Sequence, residues 1–144
     1  MVAVDTNLLV YAHRAESPFH QRAAQRLREL AEGKAAWAIP WPCIHEFLAK
    51  VTHRRIFSPP SDLTAALGFV GALLESPTLS VLGEADGYWS ELARLMREGQ
   101  IVGPRVHDAR IAAICLAHGV DELWTADRDF GRFPSLAVVN PLVA

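Results

Sequence analysis

The stretch Val2-Ala3-Val4-Asp5-Thr6-Asn7 decides the fold. Three apolar residues stop at a carboxylate, which reads as a short buried strand with an acid at its C-terminal end. A short helix is expected over 7–13. Outward from there, Ser17-Pro18 supplies an N-cap followed by proline at the first helical position, so a helix is expected over about 18–32, stopped by Gly33. Its apolar stripe is Phe19, Ala23, Leu27, Leu30 and Ala31. A second strand is expected over 35–39, and Pro40-Trp41-Pro42 punctuates the entry to a helix in which Ile44, Phe47, Leu48 and Val51 repeat at i, i+3, i+4, i+7.

Pro59-Pro60-Ser61 closes a loop and caps a fourth helix over about 62–75. A third strand follows at 79–82, then a fifth helix at 86–98 and a loop at 99–104. The last third is the most regular. A helix over 108–118 turns Ile111, Ala112, Ile114 and Cys115 inward and ends at Gly119, and strands are expected at 122–125 and 136–139. Strands that alternate with helices imply an α/β fold, a mostly parallel central sheet flanked by helices on both faces.

The chain has 144 residues, 51% of them hydrophobic and 21% charged, with a formal net charge of −2. One globular domain spanning 1–144 is expected, large enough to build a core without staples. Two cysteines, Cys43 and Cys115, form no C-x-x-C pair and no zinc-spaced cluster, which disfavours a disulfide scaffold and a zinc module. Both read as small core residues. No apolar run reaches the length of a membrane span, and Asp5 stands where a signal peptide would carry basic residues. A soluble, cytoplasmic protein is expected.

Parallel α/β sheets bind ligands outside the carboxyl ends of their strands, where the strand order reverses. Asp5 follows strand one and Asp127 follows strand four, so both point at that edge. Glu46 and Asp108 read as lying in the first turns of their helices, where the dipole favours acids. Each acid alone has an ordinary structural explanation: a turn, a cap, a Glu46–Lys50 pair. Four or five carboxylates on one edge, with Asp129 beside Asp127, repel one another unless cations neutralise them. Removing those five acids from the balance leaves +3, a mildly basic remainder. An all-oxygen ligand set suits Mg2+ or Mn2+ rather than zinc.

Val4-Asp5-Thr6-Asn7, His45-Glu46-Phe47-Leu48, His107-Asp108-Ala109-Arg110-Ile111-Ala112-Ala113 and Thr125-Ala126-Asp127-Arg128-Asp129-Phe130 resemble, in order and spacing, the four acidic motifs of the PIN-domain family, and most of all its VapC-type toxins. The resemblance spans nearly the whole chain. It implies a PIN-like three-layer fold and a metal-dependent endoribonuclease, the toxin of a VapBC-type pair. Carried over by residue, it implies that Asp5, Glu46, Asp108 and Asp127 hold divalent metal and carry catalysis, with Asp129, second to them, an outer metal ligand or a structural residue. Thr6 and Asn7 match the polar pair that fixes the first carboxylate or a water, and Thr125 matches a hydroxyl beside the site. The implied chemistry is in-line attack of water on a phosphodiester, leaving 5′-phosphate and 3′-hydroxyl ends. The implied partners are RNA and a cognate VapB-type antitoxin.

Arg14, Arg110 and Arg128 lie close in sequence to these acids and are candidates for RNA contact. Trp41, between two prolines and near Glu46, is a candidate base platform, whereas Trp37 and Trp124 read as core. Broad apolar faces at Phe19, Leu27 and Leu30, and at Leu63, Leu67, Phe69, Val70, Leu73 and Leu74, suit a homodimer seam or an antitoxin groove. Other aspartate-rich phosphotransfer folds fit poorly: Asn7 stands where a phosphatase of that kind would place a second aspartate, and no lysine follows Lys50. The non-enzyme alternative is a PIN-like module that binds RNA or protein without cutting. Its expected signature is the loss of a site acid, and all are present.

Overall fold

The computed structural model describes residues 1–143. Five strands, β1 (Val2–Val4), β2 (Trp37–Pro40), β3 (Leu79–Leu82), β4 (Glu122–Trp124) and β5 (Ala137–Val139), form one sheet in the order β3-β2-β1-β4-β5. Every pairing is parallel, and β1 sits in the middle with Ala3 beside Ala38 on one side and Leu123 on the other. The chain builds outward from β1 in one direction and later in the other. The carboxyl ends of β1 and β4 therefore flank the point where the strand order reverses.

Among the described residues six α-helices flank this sheet: α1 (Thr6–His13), α2 (His20–Glu32), α3 (Trp41–Val51), α4 (Leu63–Leu74), α5 (Tyr88–Gly99) and α6 (Val106–Ala117). The core closes around Trp37, Phe47, Phe130 and Phe133, all fully buried, with Ile114 and Leu123. Gly119, at φ +70°, takes the left-handed position that ends α6, a conformation that costs glycine nothing. No helix among the described residues is long and apolar enough to cross a membrane.

Three expectations need correction. The second helix begins at His20 rather than Pro18. The Ser17 hydroxyl accepts from the Phe19 amide at 3.1 Å, so residues 17–19 form a turn and Phe19 is left 44% exposed. Asp62, not Ser61, caps α4, its Oδ1 accepting from the Ala65 amide at 2.7 Å. The Ser61 hydroxyl is engaged instead with His13 and Arg14. Trp124 is half-buried rather than core: β4 has only β5 beyond it, and the indole Nε1 reaches Glu122 Oε1 at 2.8 Å.

Candidate active site

Asp5 leaves β1 and caps α1 in one residue. Its Oδ1 accepts from the Thr6 amide at 2.8 Å, and its own amide donates to the Trp124 carbonyl at 3.0 Å. The side chain is 4% exposed, and every position at which it can accept is occupied. Oδ2 accepts from the Thr125 hydroxyl at 2.7 Å and from Asn7 Nδ2 at 3.3 Å, while the Cys43 thiol lies 3.5 Å from Oδ1. Burial raises its pKa above the ordinary value; the Thr125, Thr6 and Cys43 bonds oppose the shift, and the Glu46 charge adds to it.

Asn7 and Thr125 tie β1 to β4 at this edge. Asn7 donates to Thr125 Oγ1 at 3.0 Å and accepts from the Ala126 amide at 3.1 Å, and Thr125 Oγ1 also accepts from the Asp127 amide at 3.0 Å. Thr6 serves through its backbone, since its buried hydroxyl has no hydrogen-bond partner among the described residues.

Above this buried layer, Asp108 in the first turn of α6 faces the turn after β4. Asp108, Asp127 and Asp129 each bring one carboxylate oxygen within 4.8 Å of the others. The Asp108 pKa is pushed up to about 6. Burial is the main cause, followed by the charges of Asp127, Asp5, Asp129 and Glu46. All five acids therefore share one electrostatic neighbourhood. Three carboxylate oxygens at this separation form an oxygen-only donor set that fits a divalent metal ion. Asp127 also braces its own turn, Oδ1 accepting from the Asp129 amide at 2.9 Å.

Glu46 departs from the expectation of a first-turn acid. Pro40 is extended and the helix starts at Trp41, directly after β2, so Glu46 is the sixth residue of α3 and beyond the reach of its dipole. It pairs with Lys50 at 2.8 Å and lines a cleft with Asp108, outside the close group of three oxygens.

The arginines separate. Arg14 is carried by α1 to the end opposite Asp5, roughly 12 Å along eight residues of helix. There it is occupied by Glu16, the Ser61 hydroxyl, the Pro59 carbonyl and the Phe57 ring. Arg110 lines the cleft beside Asp108, its Nε held by Glu84 at 2.5 Å. Exposed Arg128 lines a smaller cavity with Thr125 and Asp127. Sequence reasoning missed the Cys43 contact with Asp5, although Cys43 stands three residues before Glu46 and so shares a helix face with it. Glu84 was missed altogether; it sits in a loop without periodicity.

The PIN domain family model matches residues 2–136. The ribonuclease VapC43 of Mycobacterium tuberculosis is 34% identical over 142 residues, covering 99% of this chain and 96% of that protein. Among solved structures, VapBC2 from Rickettsia felis bound to a promoter DNA fragment superposes with a TM-score of 0.67 at 22% identity, covering 97% of this chain and 98% of that one. The Mycobacterium tuberculosis toxin VapC20, which cleaves the sarcin-ricin loop, gives 0.64 at 20% identity, covering 91% and 93%.

Proposed function

The chain belongs to the PIN-domain family, and on that footing we propose that it is the toxin of a VapBC-type pair, an endoribonuclease that hydrolyses RNA phosphodiester bonds with the help of Mg2+ or Mn2+. One observation carries the reading. In a chain one-third identical to a VapC ribonuclease along its whole length, the Asp108, Asp127 and Asp129 oxygens converge within 4.8 Å at the switch point of the sheet, over the buried Asp5.

Asp108, Asp127 and Asp129 would hold the first cation, with Asp5 and Glu46 at its margins. Bound there, a divalent cation supplies Lewis acidity toward water and charge compensation for the phosphodiester. The protein's own groups set the geometry. Thr125 and Asn7 fix the Asp5 carboxylate, and of its four contacts the two long ones, to Asn7 and Cys43, are those that yield if Asp5 turns toward a cation. Glu46 joins only by releasing Lys50. Arg128, exposed beside Asp127, is placed to receive a phosphate of a strand crossing the acids.

The non-catalytic alternative is not favoured, because every acid is present and three of them converge. The partner is a VapB-type antitoxin, and its seat is the apolar groove of about 370 Å³ between α1, α2 and α4, where half-buried Phe69 and Leu73 are in reach. The exposed Leu63, Leu67 and Leu74 of α4 suit a homodimer seam. The compartment is the cytoplasm, where RNA and antitoxin meet.

The test is cleavage of single-stranded RNA by the purified protein with Mg2+, Mn2+ or EDTA, alongside growth after induced expression. Growth arrest relieved by Asp5→Asn, with cutting abolished by EDTA, is expected. Cutting undiminished by EDTA overturns the metal-dependent mechanism.

A further inference from the structure

Resting on the ribonuclease reading, we propose that the cleft between α3 and α6 is a base-reading subsite that receives the nucleotide beside the scissile phosphate and selects guanine through Arg110.

The cleft has a volume of about 480 Å³, within the usual range of roughly 300–1,000 Å³ for small-ligand sites. Its two walls are helix faces. Pro42, His45, Glu46 and Ala49 follow i, i+3, i+4, i+7 on α3, and His107, Arg110 and Ile111 follow i, i+3, i+4 on α6 with Asp108 beside them. Asp108 belongs to the metal-fitting cluster, so a nucleotide in the cleft abuts the reacting phosphate. Pro42, Ala49 and Ile111 provide an apolar bed for a flat ring. At the rim, exposed Trp41 and His45 stack with centroids 6.0 Å apart and planes inclined by 25°, a π surface of the kind on which single-stranded bases lie.

Arg110 supplies the selectivity. Glu84, which lies outside the cleft lining, takes the guanidinium by Nε, and neither terminal nitrogen has a hydrogen-bond partner among the described residues. The guanidinium is therefore held from behind with its end-on pair of donors unspent. Two parallel N–H groups match the O6 and N7 acceptors of guanine, whereas adenine places a donor on that edge and pyrimidines have no N7. The planar fork also makes lysine a poor substitute.

Three measurements test this. A random-sequence single-stranded RNA pool is digested with Mg2+ present and the new ends are sequenced. Guanine should be enriched at one fixed position beside the cut, and Arg110→Lys, which keeps the charge but loses the fork, should abolish the enrichment. In EDTA, anisotropy of labelled oligonucleotides should show the guanine form binding about tenfold more tightly than its 7-deazaguanine twin, and Arg110→Lys should bind the two alike. Trp41→Ala should raise KM about tenfold with little change in kcat. Cuts by the parent protein without guanine enrichment, enrichment that persists in Arg110→Lys, or equal binding of the two oligonucleotides by the parent overturns the subsite. If the parent protein cuts no RNA, the ribonuclease reading fails, while the metal-free binding arm still decides the cleft.

Discussion

Thr125 Oγ1 lies 2.7 Å from Asp5 Oδ2 and donates its proton there. Its two lone pairs accept from Asn7 Nδ2 and the Asp127 amide, so one hydroxyl links the end of β1 to the turn after β4. The hydroxyl is saturated, and the burial of Asp5 is tolerable because its carboxylate is never left without a donor.

Thr125→Val keeps the shape and removes the link. It takes one donor from the buried Asp5 carboxylate and leaves the Asp127 amide and one Asn7 N–H short of an acceptor, so stability should fall by about 1–3 kcal/mol, and RNA cleavage should fall further than the loss of folded protein explains. Thermal melting and initial cleavage rates check this together. A variant as stable and as active as the parent would show that the network is dispensable.

The raised Asp108 pKa fixes the sign of a pH effect. Between its ordinary value of 3.8 and about 6, the folded chain holds more protons on this group than the unfolded chain does. Its contribution to stability is therefore greatest at low pH and falls as pH rises through that window. The shift at Asp5 has the same sign. In EDTA, Asp108→Asn should raise Tm at pH 7.5, and its advantage over the parent should shrink toward pH 4.5. Mg2+ at pH 7.5 should raise the Tm of the parent and not of the variant. An advantage independent of pH would place the effect outside this carboxylate.

The parts of the site legible in the sequence are those fixed by local pattern. An acid just past the end of a parallel strand emerges at the carboxyl edge, so Asp5, directly after β1, and Asp127, in the turn after β4, were readable. Asp108 was readable from the helix start that precedes its apolar repeat. Glu46 was misplaced by about a turn because the helix starts at Trp41, tight against β2, and the prolines around that start hide it. Arg14 was misjudged because nearness in sequence is undone by a helix that carries it to the far end. Glu84 carried no signal at all, since its partner lies 26 residues away. The strand pattern was readable over 79–82 to the residue, whereas the start of α2 depended on whether Ser17 capped a helix or closed a turn.

Lys50 is a competitor for Glu46. Exposed ion pairs contribute roughly 0–1 kcal/mol, so Lys50→Met should leave Tm nearly unchanged. If Glu46 serves the metal, freeing it should raise the apparent Mg2+ affinity several-fold in titrations of cleavage rate. An unchanged Mg2+ dependence would assign Glu46 to the cleft wall alone.

Asp127 and Asp129 both reach the close group of oxygens, yet their surroundings differ. Asp127 is half-buried, its amide held by Thr125, and its Oδ1 braces the turn; Asp129 is exposed. Asp127→Asn should lose activity by orders of magnitude at every Mg2+ concentration. Asp129→Asn should lose less than Asp127→Asn, because water can replace an exposed ligand, and excess Mg2+ should restore part of the loss. The reverse order of damage, unrescued by metal, would make Asp129 the principal ligand.

Arg14 and Arg128 should separate stability from binding. The Arg14 side chain is 13% exposed and joins α1 to the loop before α4 through Ser61, the Pro59 carbonyl and Phe57. Arg128 is exposed beside Asp127 and has no hydrogen-bond partner among the described residues. Truncating Arg14 to Ala removes packing as well as charge and leaves the Ser61 hydroxyl one donor short, so Tm should drop by several degrees while the RNA affinity of the folded fraction holds. Arg128→Ala should do the opposite, leaving Tm in place and weakening RNA binding, with a shallower dependence of affinity on salt as one phosphate contact is lost. Anisotropy with a labelled oligonucleotide across a salt series, beside melting curves of the same samples, reads both. An Arg14→Ala protein that melts like the parent but binds RNA more weakly would return Arg14 to the RNA-contacting surface.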